Sequence, residues 1–582
     1  MEGMPAFGLA LLLVATQDRM MPVYTPLTAP GTVMPPIMVA YGADLGALGR
    51  SWRWDLSPSG QQRWENFYLD TKEALEAMDV DRMARADQAD WTLFHHAVEN
   101  QLAAQRLEKQ RLEEVSHFFR FAAAVEPFFL SRLSRGGTDG AADADALDDL
   151  LKDVRENVRE IQGIDADDER VHPIKVRRAL GALRDIQRTM RDWHSHFTGY
   201  DPDFTWYTER PFADLDKALT DYIQWLEQNR AGDRDPTAIV GDPVGRDGLN
   251  ADLKREMISL TPEQLMAIAE RELAWCDMEM RKAAREMGHG DDWRAALEEV
   301  KGRHVKPGEQ PDMINGLAEE AINYLDQNNL LTIPPLAREV WRMDMMSPER
   351  QLIAPFFLGG ETIMVSFPTN TMTQEQKEMS MRANNIHFAR ATVHHELIPG
   401  HHLQGFMTSR YNTHRRGVTE TPFWIEGWAL YWEFLLYARG FPATPEDRMG
   451  FLFWRKHRAA RILFSLKYHL GQMTERECVE MLVNEVGHER STAEGEVRRS
   501  FGGQYPPLYQ VAYMIGAIQL TAIRREVVDT GKMSEREFHD AVLQLGNMPW
   551  AMVRAILTDR PLGRRFDPTW NFDSGRPVGE GW

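Results

Sequence analysis

The densest group of potential metal ligands lies between residues 393 and 404, where the sequence reads VHHELIPGHHLQ. Four of the 18 histidines fall in this stretch, namely His394, His395, His401 and His402. Imidazole is the commonest protein ligand for zinc, and Glu396 beside it can take a proton from a metal-bound water. A helix end with incidental histidines is the alternative, but the clustering around a carboxylate favours a metal site.

The stretch resembles the H-E-x-x-H signature, in which two histidines one turn apart share a helix face and the glutamate acts as general base. Pro399 stands where the second histidine is expected. On an unbroken helix, His401 would face away from His395, because six residues turn the chain through about 600°. His402 would return to the same face, but about 10.5 Å further along the axis. Pro399 and Gly400 predict a kink or bulge that can bring His401 back to the metal, and His402 remains the alternative.

The segment TPFWIEGWALYWEF, residues 421 to 434, offers a third ligand. Two histidines and one carboxylate leave an open position for water, as a hydrolytic zinc requires. Glu426 is surrounded in sequence by aromatic residues that would bury it, and a buried carboxylate needs a metal or an arginine to pair with it. Glu433 follows on the same helix face, where we expect it either to orient a ligand or to form a plain salt bridge.

The order HELIPGHHLQ then WIEGWALYWE resembles the bacterial family called domain of unknown function 885, which is grouped with the gluzincin-type zinc metallopeptidases. The resemblance implies that His395, His401 and Glu426 bind one Zn²⁺ per chain and that Glu396 is the catalytic base. The WIEGWA segment is also similar to the third-ligand motif of the aminopeptidase branch of gluzincins. The matched motifs run from about residue 362 to 525.

A third block, at residues 496 to 516, includes a segment similar to the family's Q-x-x-Y-x-x-G motif. Amide hydrolysis passes through an oxyanion that needs a donor besides the metal. The resemblance makes Tyr513 the candidate donor, with a core tyrosine as the alternative. Arg498 or Arg499 could bind a substrate carboxylate through a bidentate fork, although a surface ion pair is the favoured reading of each.

The elements that must position these residues are predicted to be mostly helical. Apolar residues recur with helical spacing in four stretches, residues 90–119, 147–161, 176–194 and 261–288. The last begins with a capping box at Thr261. The segment TIMVSFP, residues 362–368, predicts an edge strand, with a buried loop as the alternative. The predicted fold class is therefore mainly α: a large helical metallopeptidase-like scaffold with a small β-sheet edging the active-site cleft.

The connection at residues 229–250 is rich in Gly, Asp and Pro, and it predicts a boundary between two regions. An N-terminal helical region would span 21–230 and the zinc-metallopeptidase-like catalytic region 250–582, although both halves could form one two-lobed unit. Residues 1–20 contain an apolar run that fits either a signal peptide or a buried N-terminal segment. The first reading predicts an exported, periplasmic protein and the second a cytoplasmic one.

Composition excludes several other classes of protein. The chain has 582 residues, 43% of them hydrophobic, which excludes disorder throughout. Its 67 basic and 87 acidic residues give a net charge of −20, so we expect no nucleic-acid partner. Only Cys276 and Cys478 are present, which excludes a disulfide scaffold and a thiolate metal site. No apolar stretch is long enough for an integral membrane segment, and the sequence leaves the oligomeric state open.

Together these features predict zinc-dependent hydrolysis of peptide bonds in short or unfolded peptides, with Glu396 activating a zinc-bound water. The enzyme would be an oligopeptidase or carboxypeptidase-like, because helical walls restrict access to the cleft. A strand at 362–368 could pair with an extended peptide substrate. Two alternatives stay open: a non-catalytic metal- or peptide-binding helical protein, and a metal-dependent hydrolase of a non-peptide amide or ester.

Overall fold

The computed structural model describes residues 32–231, 239, 241–351, 356–503 and 505–580. Within these ranges the chain is built almost entirely of helices and contains one two-stranded sheet. The predicted mainly α fold class is therefore confirmed. The apolar run within residues 1–20 lies outside the described residues. No described helix is both long and apolar enough to cross a bilayer.

The first part of the described chain carries helices that precede the metal-ligand motifs. They are α1 (Met34–Ser51), α2 (Pro58–Glu76), α3 (Arg85–Glu113), α4 (Glu126–Leu133), α5 (Gly140–Gln162), α6 (Pro173–Phe197), α7 (Pro202–Asn229), α8 (Gly245–Arg255), α9 (Pro262–Glu286), α10 (Trp293–Lys301), α11 (Gln310–Gln327), α12 (Pro335–Val340) and α13 (Pro348–Gln351). Two strands flank α13, β1 (Arg342–Met345) before it and β2 (Thr362–Val365) after it.

The second part carries the helices that contain or support the motifs. They are α14 (Gln374–Ala383), α15 (Ile386–Glu396), α16 (His401–Thr408), α17 (Pro422–Ala438), α18 (Pro445–His469), α19 (Glu475–Met481), α20 (Arg490–Phe501), α21 (Tyr509–Val527), α22 (Glu535–Leu545) and α23 (Trp550–Leu557).

The predicted helices at 147–161, 176–194 and 261–288 are confirmed as parts of α5, α6 and α9. Thr261 forms the predicted capping box with Gln264, each side chain accepting a hydrogen bond from the other residue's backbone N–H. The prediction for 90–119 is too long, because α3 ends at Glu113. A 3₁₀ segment follows at Ser116–Val125, where the chain changes direction and buries its phenylalanines in an N-terminal apolar cluster.

The sheet is small and parallel, with Arg342 opposite Thr362 and Met345 opposite Val365. β2 is shorter than the predicted strand at 362–368. Its ladder ends at Val365 because the Ser366 hydroxyl and the Phe367 N–H both donate to the side-chain oxygen of Gln351, at 2.9 and 3.3 Å.

The central element of the larger apolar cluster is α18, in which every residue from 449 to 466 is buried. It packs against α9, α15 and α21. A second apolar cluster occupies α4 to α7 and the segment before α4. The division into regions at 21–230 and 250–582 stays a prediction. Cys276 and Cys478 are buried free thiols.

The helices α17 and α21 approach each other closely at two glycines. An ideal Cβ built on Gly427 would lie 2.6 Å from Cα of Gly516, and one built on Gly516 would overlap the carbonyl oxygen of Phe423. This contact matters for function because α17 carries Glu426 and α21 carries Tyr513. A side chain at either glycine would force the two helices apart.

We predict that Gly516→Ala lowers the free energy of unfolding by about 1–3 kcal/mol, the usual cost of overpacking. Gly181→Ala is the matched control, since Gly181 is a solvent-exposed residue in the middle of α6 and a Cβ there meets no atom within 4 Å. The control should raise stability by about 0.5–1 kcal/mol through helix propensity. Thermal unfolding midpoints of the two variants measure both effects, and a Gly516→Ala midpoint at or above that of the parent would contradict the prediction.

Candidate metal centre

His395 and Glu396 occupy the C-terminal end of α15, and His401 opens α16. The start of α15 is defined by Asn385, whose side-chain oxygen accepts hydrogen bonds from the backbone N–H groups of His387 and Phe388 at 3.1 and 3.0 Å. The helix therefore begins at a fixed residue, and its last turn brings His395 and Glu396 to the same cavity.

Residues 397–400 break the helix completely, where the sequence predicted a kink or bulge. The Gly400 N–H donates to the carbonyl of His394 at 3.0 Å, and a Cβ on Gly400 would overlap the carbonyl of His395. The indole N–H of Trp428 donates to the carbonyl of Pro399 at 2.8 Å, which fixes the break against α17. The break brings the rings of His395 and His401 to a centroid distance of 4.8 Å.

Three donor atoms converge at this point. Nε2 of His395 lies 3.5 Å and Nε2 of His401 lies 3.3 Å from Oε2 of Glu426, and all three atoms lie within 4.8 Å of one another. Ligand atoms of a tetrahedral zinc with bonds of about 2.0–2.1 Å are separated by about 3.3–3.4 Å. The three predicted ligands therefore fit one divalent ion.

The carboxylate of Glu426 supports this fit independently. Glu426 is 3% exposed, and its Oε2 accepts no well-oriented hydrogen bond from any residue that the structure describes. A buried carboxylate oxygen that lacks a partner is costly unless a cation compensates it. Its other oxygen accepts a hydrogen bond from the hydroxyl of Tyr509.

Polar partners orient both imidazoles. Nδ1 of His395 donates to Oε1 of Glu433 at 2.7 Å, because a carboxylate can only accept, and Nε2 is left to act as a ligand. Glu433 thus fixes the orientation of the His395 ring. Nδ1 of His401 lies 3.5 Å from Oε1 of Gln404, whose amide nitrogen donates to the carbonyl oxygens of Trp424 and Ile425.

The charges of these residues perturb one another. Burial acts to lower the pKa of His395, but the carboxylates of Glu426 and Glu433 outweigh it and raise that pKa to about 9. Burial acts to raise the pKa of Glu426, yet the two imidazoles hold it well below its usual range. The pKa of Glu396 is raised by burial, although His395 and His401 oppose the shift. The centre therefore favours positive charge beside Glu426, as a divalent cation would supply.

The other two histidines of the motif face elsewhere. Nε2 of His402 donates to the carbonyl of Ala337 at 2.6 Å, so the alternative second ligand turns away from Glu426. His394 stacks on Phe451 and hydrogen-bonds through Nδ1 to the carbonyl of Arg390 at 3.0 Å. The sequence offered His401 and His402 as alternatives for the second ligand, and the structure brings His401 to the centre.

The centre opens into a cavity of about 490 Å³. Met364 of β2 lines one side, so the small sheet borders the cavity as predicted. A Cβ on Gly359 would overlap Oε2 of Glu396, so glycine is required beside this carboxylate. Tyr513 stacks against His395 at a centroid distance of 6.1 Å, and its hydroxyl accepts a hydrogen bond from Arg499 at 3.3 Å.

Arg499 is 7% exposed and lines the cavity, so the favoured reading of this residue as part of a surface ion pair is wrong. Its burial results from packing of α20 against neighbouring elements, which the local sequence does not reveal. Arg498 is half-buried and is not among the residues that line the cavity.

Sequence reasoning did not single out Tyr509, Arg458 and Arg461, whose polar side chains also line the cavity. Each had a usable signal. Tyr509 precedes Tyr513 by four residues, which places both on one helix face of α21. Arg458 and Arg461 are three residues apart within the apolar run FLFWRKHRAARILF, where charged residues need partners because their surroundings are buried.

Comparison with known proteins identifies the family. The sequence of residues 42–557 matches the family described as bacterial protein of unknown function (DUF885). The chain belongs to this family. No curated protein matches it significantly.

Two solved structures share the fold. A candidate lipoprotein of unknown function from Shewanella oneidensis is 16% identical, with a TM-score of 0.65 over 91% of this chain and 100% of that one. A candidate lipoprotein from Colwellia psychrerythraea is 15% identical, with a TM-score of 0.54 over 90% of this chain and 98% of that one. At these identities the likeness concerns the fold alone.

We predict that Glu433→Gln weakens zinc binding by about 10- to 100-fold, because loss of the charge on the His395 partner lowers ligand basicity. Glu420→Gln is the matched control, since Glu420 lines the same cavity but is exposed. Competition with a chromophoric chelator measures both affinities. Equal zinc affinity of the Glu433→Gln variant and the parent would show that this carboxylate does not support the ligand.

Proposed function

We propose that this protein is a zinc-dependent peptidase that hydrolyses peptide bonds in short or unfolded peptides. The observation that carries the proposal is the convergence of His395, His401 and Glu426 on one point beside Glu396, inside a cavity. The arrangement matches the ligand set of hydrolytic zinc sites, two histidines and one carboxylate with room for water. The similarity of the HELIPGHH and WIEGWA segments to gluzincin motifs supports the same reaction class.

His395, His401 and Glu426 would hold the zinc ion, which when bound would supply Lewis acidity for a substrate carbonyl and for water near neutral pH. The chain's own residues supply the proton transfers. Glu396 accepts a proton from the attacking water on its carboxylate and passes it to the leaving nitrogen as the C–N bond breaks. Burial raises the pKa of Glu396, which brings this carboxylate closer to the range suited to proton transfer at neutral pH.

Tyr513 is the better candidate for stabilising the oxyanion that develops on the scissile carbonyl. The hydroxyl of Tyr509 already donates its proton to Glu426. The hydroxyl of Tyr513 accepts from Arg499 and donates to no residue that the structure describes, so its own proton is available to a substrate oxygen. Hydrogen bonds aimed at such an oxyanion commonly provide the largest electrostatic contribution to catalysis.

The size of the cavity supports a small substrate. A volume of about 490 Å³ falls within the range of about 300–1,000 Å³ typical of ligand pockets. It accommodates a few residues of an extended peptide and excludes a folded domain. Because both similar structures are described as candidate lipoproteins, they favour the exported alternative for this chain.

We expect Glu396→Gln to abolish hydrolysis of a fluorogenic peptide library while about one zinc per chain is retained, because Glu396 moves protons and is not a ligand. His401→Gln should lose the zinc, whereas His402→Gln, its matched control, should keep it. Elemental analysis and initial rates measure the two properties separately. A Glu396→Gln variant that cleaves as fast as the parent would refute the mechanism.

Tyr513→Phe should lower kcat by about 100- to 1,000-fold with little change in zinc content, the usual cost of losing one oxyanion donor. Tyr509→Phe is the comparison, since it removes a hydrogen bond to Glu426 and should act on zinc affinity instead. Steady-state kinetics and metal analysis of both variants distinguish these effects. An unchanged kcat for Tyr513→Phe would assign the donor role to another group.

A further inference from the structure

Three buried arginines line the same cavity as the metal centre. Arg458 and Arg461 come from α18 and Arg499 comes from α20, and they are 5%, 1% and 7% exposed. Arginine is almost never this buried unless it is paired. The groups that face these guanidinium ions therefore indicate whether the arginines are structural or are available to a ligand.

Among the described residues, two carboxylates lie at ion-pair distance from the three guanidinium groups. Glu496 binds Arg461 through two contacts, at 2.7 Å to Nε and 2.6 Å to Nη2. Glu433 lies 3.9 Å from Arg458, but the same oxygen already accepts the hydrogen bond from His395. Arg461 is thus held as a structural pair, and one positive charge is left in excess.

The hydrogen bonds of Arg458 and Arg499 lead to the same conclusion. Arg458 donates no hydrogen bond to any part of the chain that the structure describes, and its Nε is fully buried. Arg499 donates one, to the hydroxyl of Tyr513, and its Nε also has no partner among the described residues. A guanidinium carries five N–H donors, and leaving them unsatisfied in a buried position is costly.

Aromatic rings hold both guanidinium groups in place. Arg458 lies 4.5 Å from the ring centroid of Tyr513 and 5.2 Å from that of Trp454. Arg499 lies 4.7 Å from the ring centroid of Tyr505. Such stacking fixes the plane of the fork, and a fixed fork is suited to bidentate binding of a carboxylate.

Arg458 also lies close to the metal centre. Oε1 of Glu433 lies 3.9 Å from Nη2 of Arg458 and 2.7 Å from Nδ1 of His395, so these two nitrogens are at most about 6.6 Å apart. An extended peptide spans at most about 3.6 Å per residue. A carboxylate anchored at the arginines would therefore be separated from the metal centre by one or two residues.

We infer that Arg458, together with Arg499, binds the free C-terminal carboxylate of a peptide, so that the substrates are peptides cleaved one or two residues from that end. This inference rests on the proposed peptidase function and adds the substrate class. Both arginines bind substrate, and Arg461 with Glu496 is a positioning pair. The overall anionic charge of the chain does not oppose the binding, because the arginine side of the cavity carries one positive charge in excess.

The test compares one peptide as the free acid with the same peptide as its C-terminal amide. The parent enzyme should cleave the acid with a kcat/KM about 10- to 100-fold higher than the amide, the range expected for a lost charged hydrogen bond. Arg458→Gln should bring the ratio near one, chiefly by slowing cleavage of the acid. A purely structural role of Arg458 would lower both rates and leave the ratio unchanged, which would overturn the inference.

Two variants complete the kinetic test. Arg350→Gln is the matched control, because Arg350 lines the same cavity but is exposed, and it should preserve the preference for the acid. Arg499→Gln provides an independent measurement if Arg458→Gln does not fold, and it too should reduce the ratio. A third peptide, an amide with Asp as its last residue, should behave as an amide; cleavage of this peptide as fast as the free acid would assign the arginines to a side-chain carboxylate.

A binding measurement separates this inference from the proposed function. Zinc-loaded Glu396→Gln protein should bind the free acid at least about tenfold more tightly than the amide by calorimetry. Equal affinities would overturn the inference even if the parent hydrolyses both peptides. Preferential binding of the acid without hydrolysis by the parent would uphold the carboxylate site and refute the peptidase.

Discussion

The structure depends on the burial of one carboxylate, Glu426, between two imidazoles. A carboxylate in this position is stable only if positive charge lies beside it. His395 and His401 come from the two sides of a helix break, and Glu426 comes from a third helix. Each of these three side chains has its own polar partner, which is Glu433 for His395, Gln404 for His401 and Tyr509 for Glu426. The donor atoms are therefore held in place without help from a ligand.

The cavity has two regions of different charge, and Tyr513 lies between them. On one side Glu396 and Glu426 accompany the histidines, and on the other side Arg458 and Arg499 stack on aromatic rings. The separation of the two charged regions depends on α18, which is buried along its whole central part. Such a helix can carry arginines only at positions where aromatic rings and carboxylates surround the guanidinium groups. The small residues between α17 and α21 let the tyrosine approach the histidines.

Sequence reasoning predicted the mainly α fold and placed three helices correctly, those at 147–161, 176–194 and 261–288, because helical periodicity and caps are local signals. It also named the residues that converge, through motif spacing and family resemblance. Spacing alone could not choose between His401 and His402, since the choice depends on the backbone path of residues 397–400. Sequence reasoning misjudged Arg499 and missed Arg458, because the burial of a charged side chain is determined by elements distant in sequence. The roles of these residues in a reaction stay predictions.

The break between α15 and α16 has a consequence for the maturation of the protein. In a continuous helix that carries H-E-x-x-H, two ligands are already adjacent once that helix forms. Here the two histidines become neighbours only after the helix break at residues 397–400 packs against α17, where Trp428 donates to the carbonyl of Pro399. A nascent or partly folded chain would offer no preformed chelate, so metal acquisition would follow tertiary assembly and would discriminate mature molecules from immature ones.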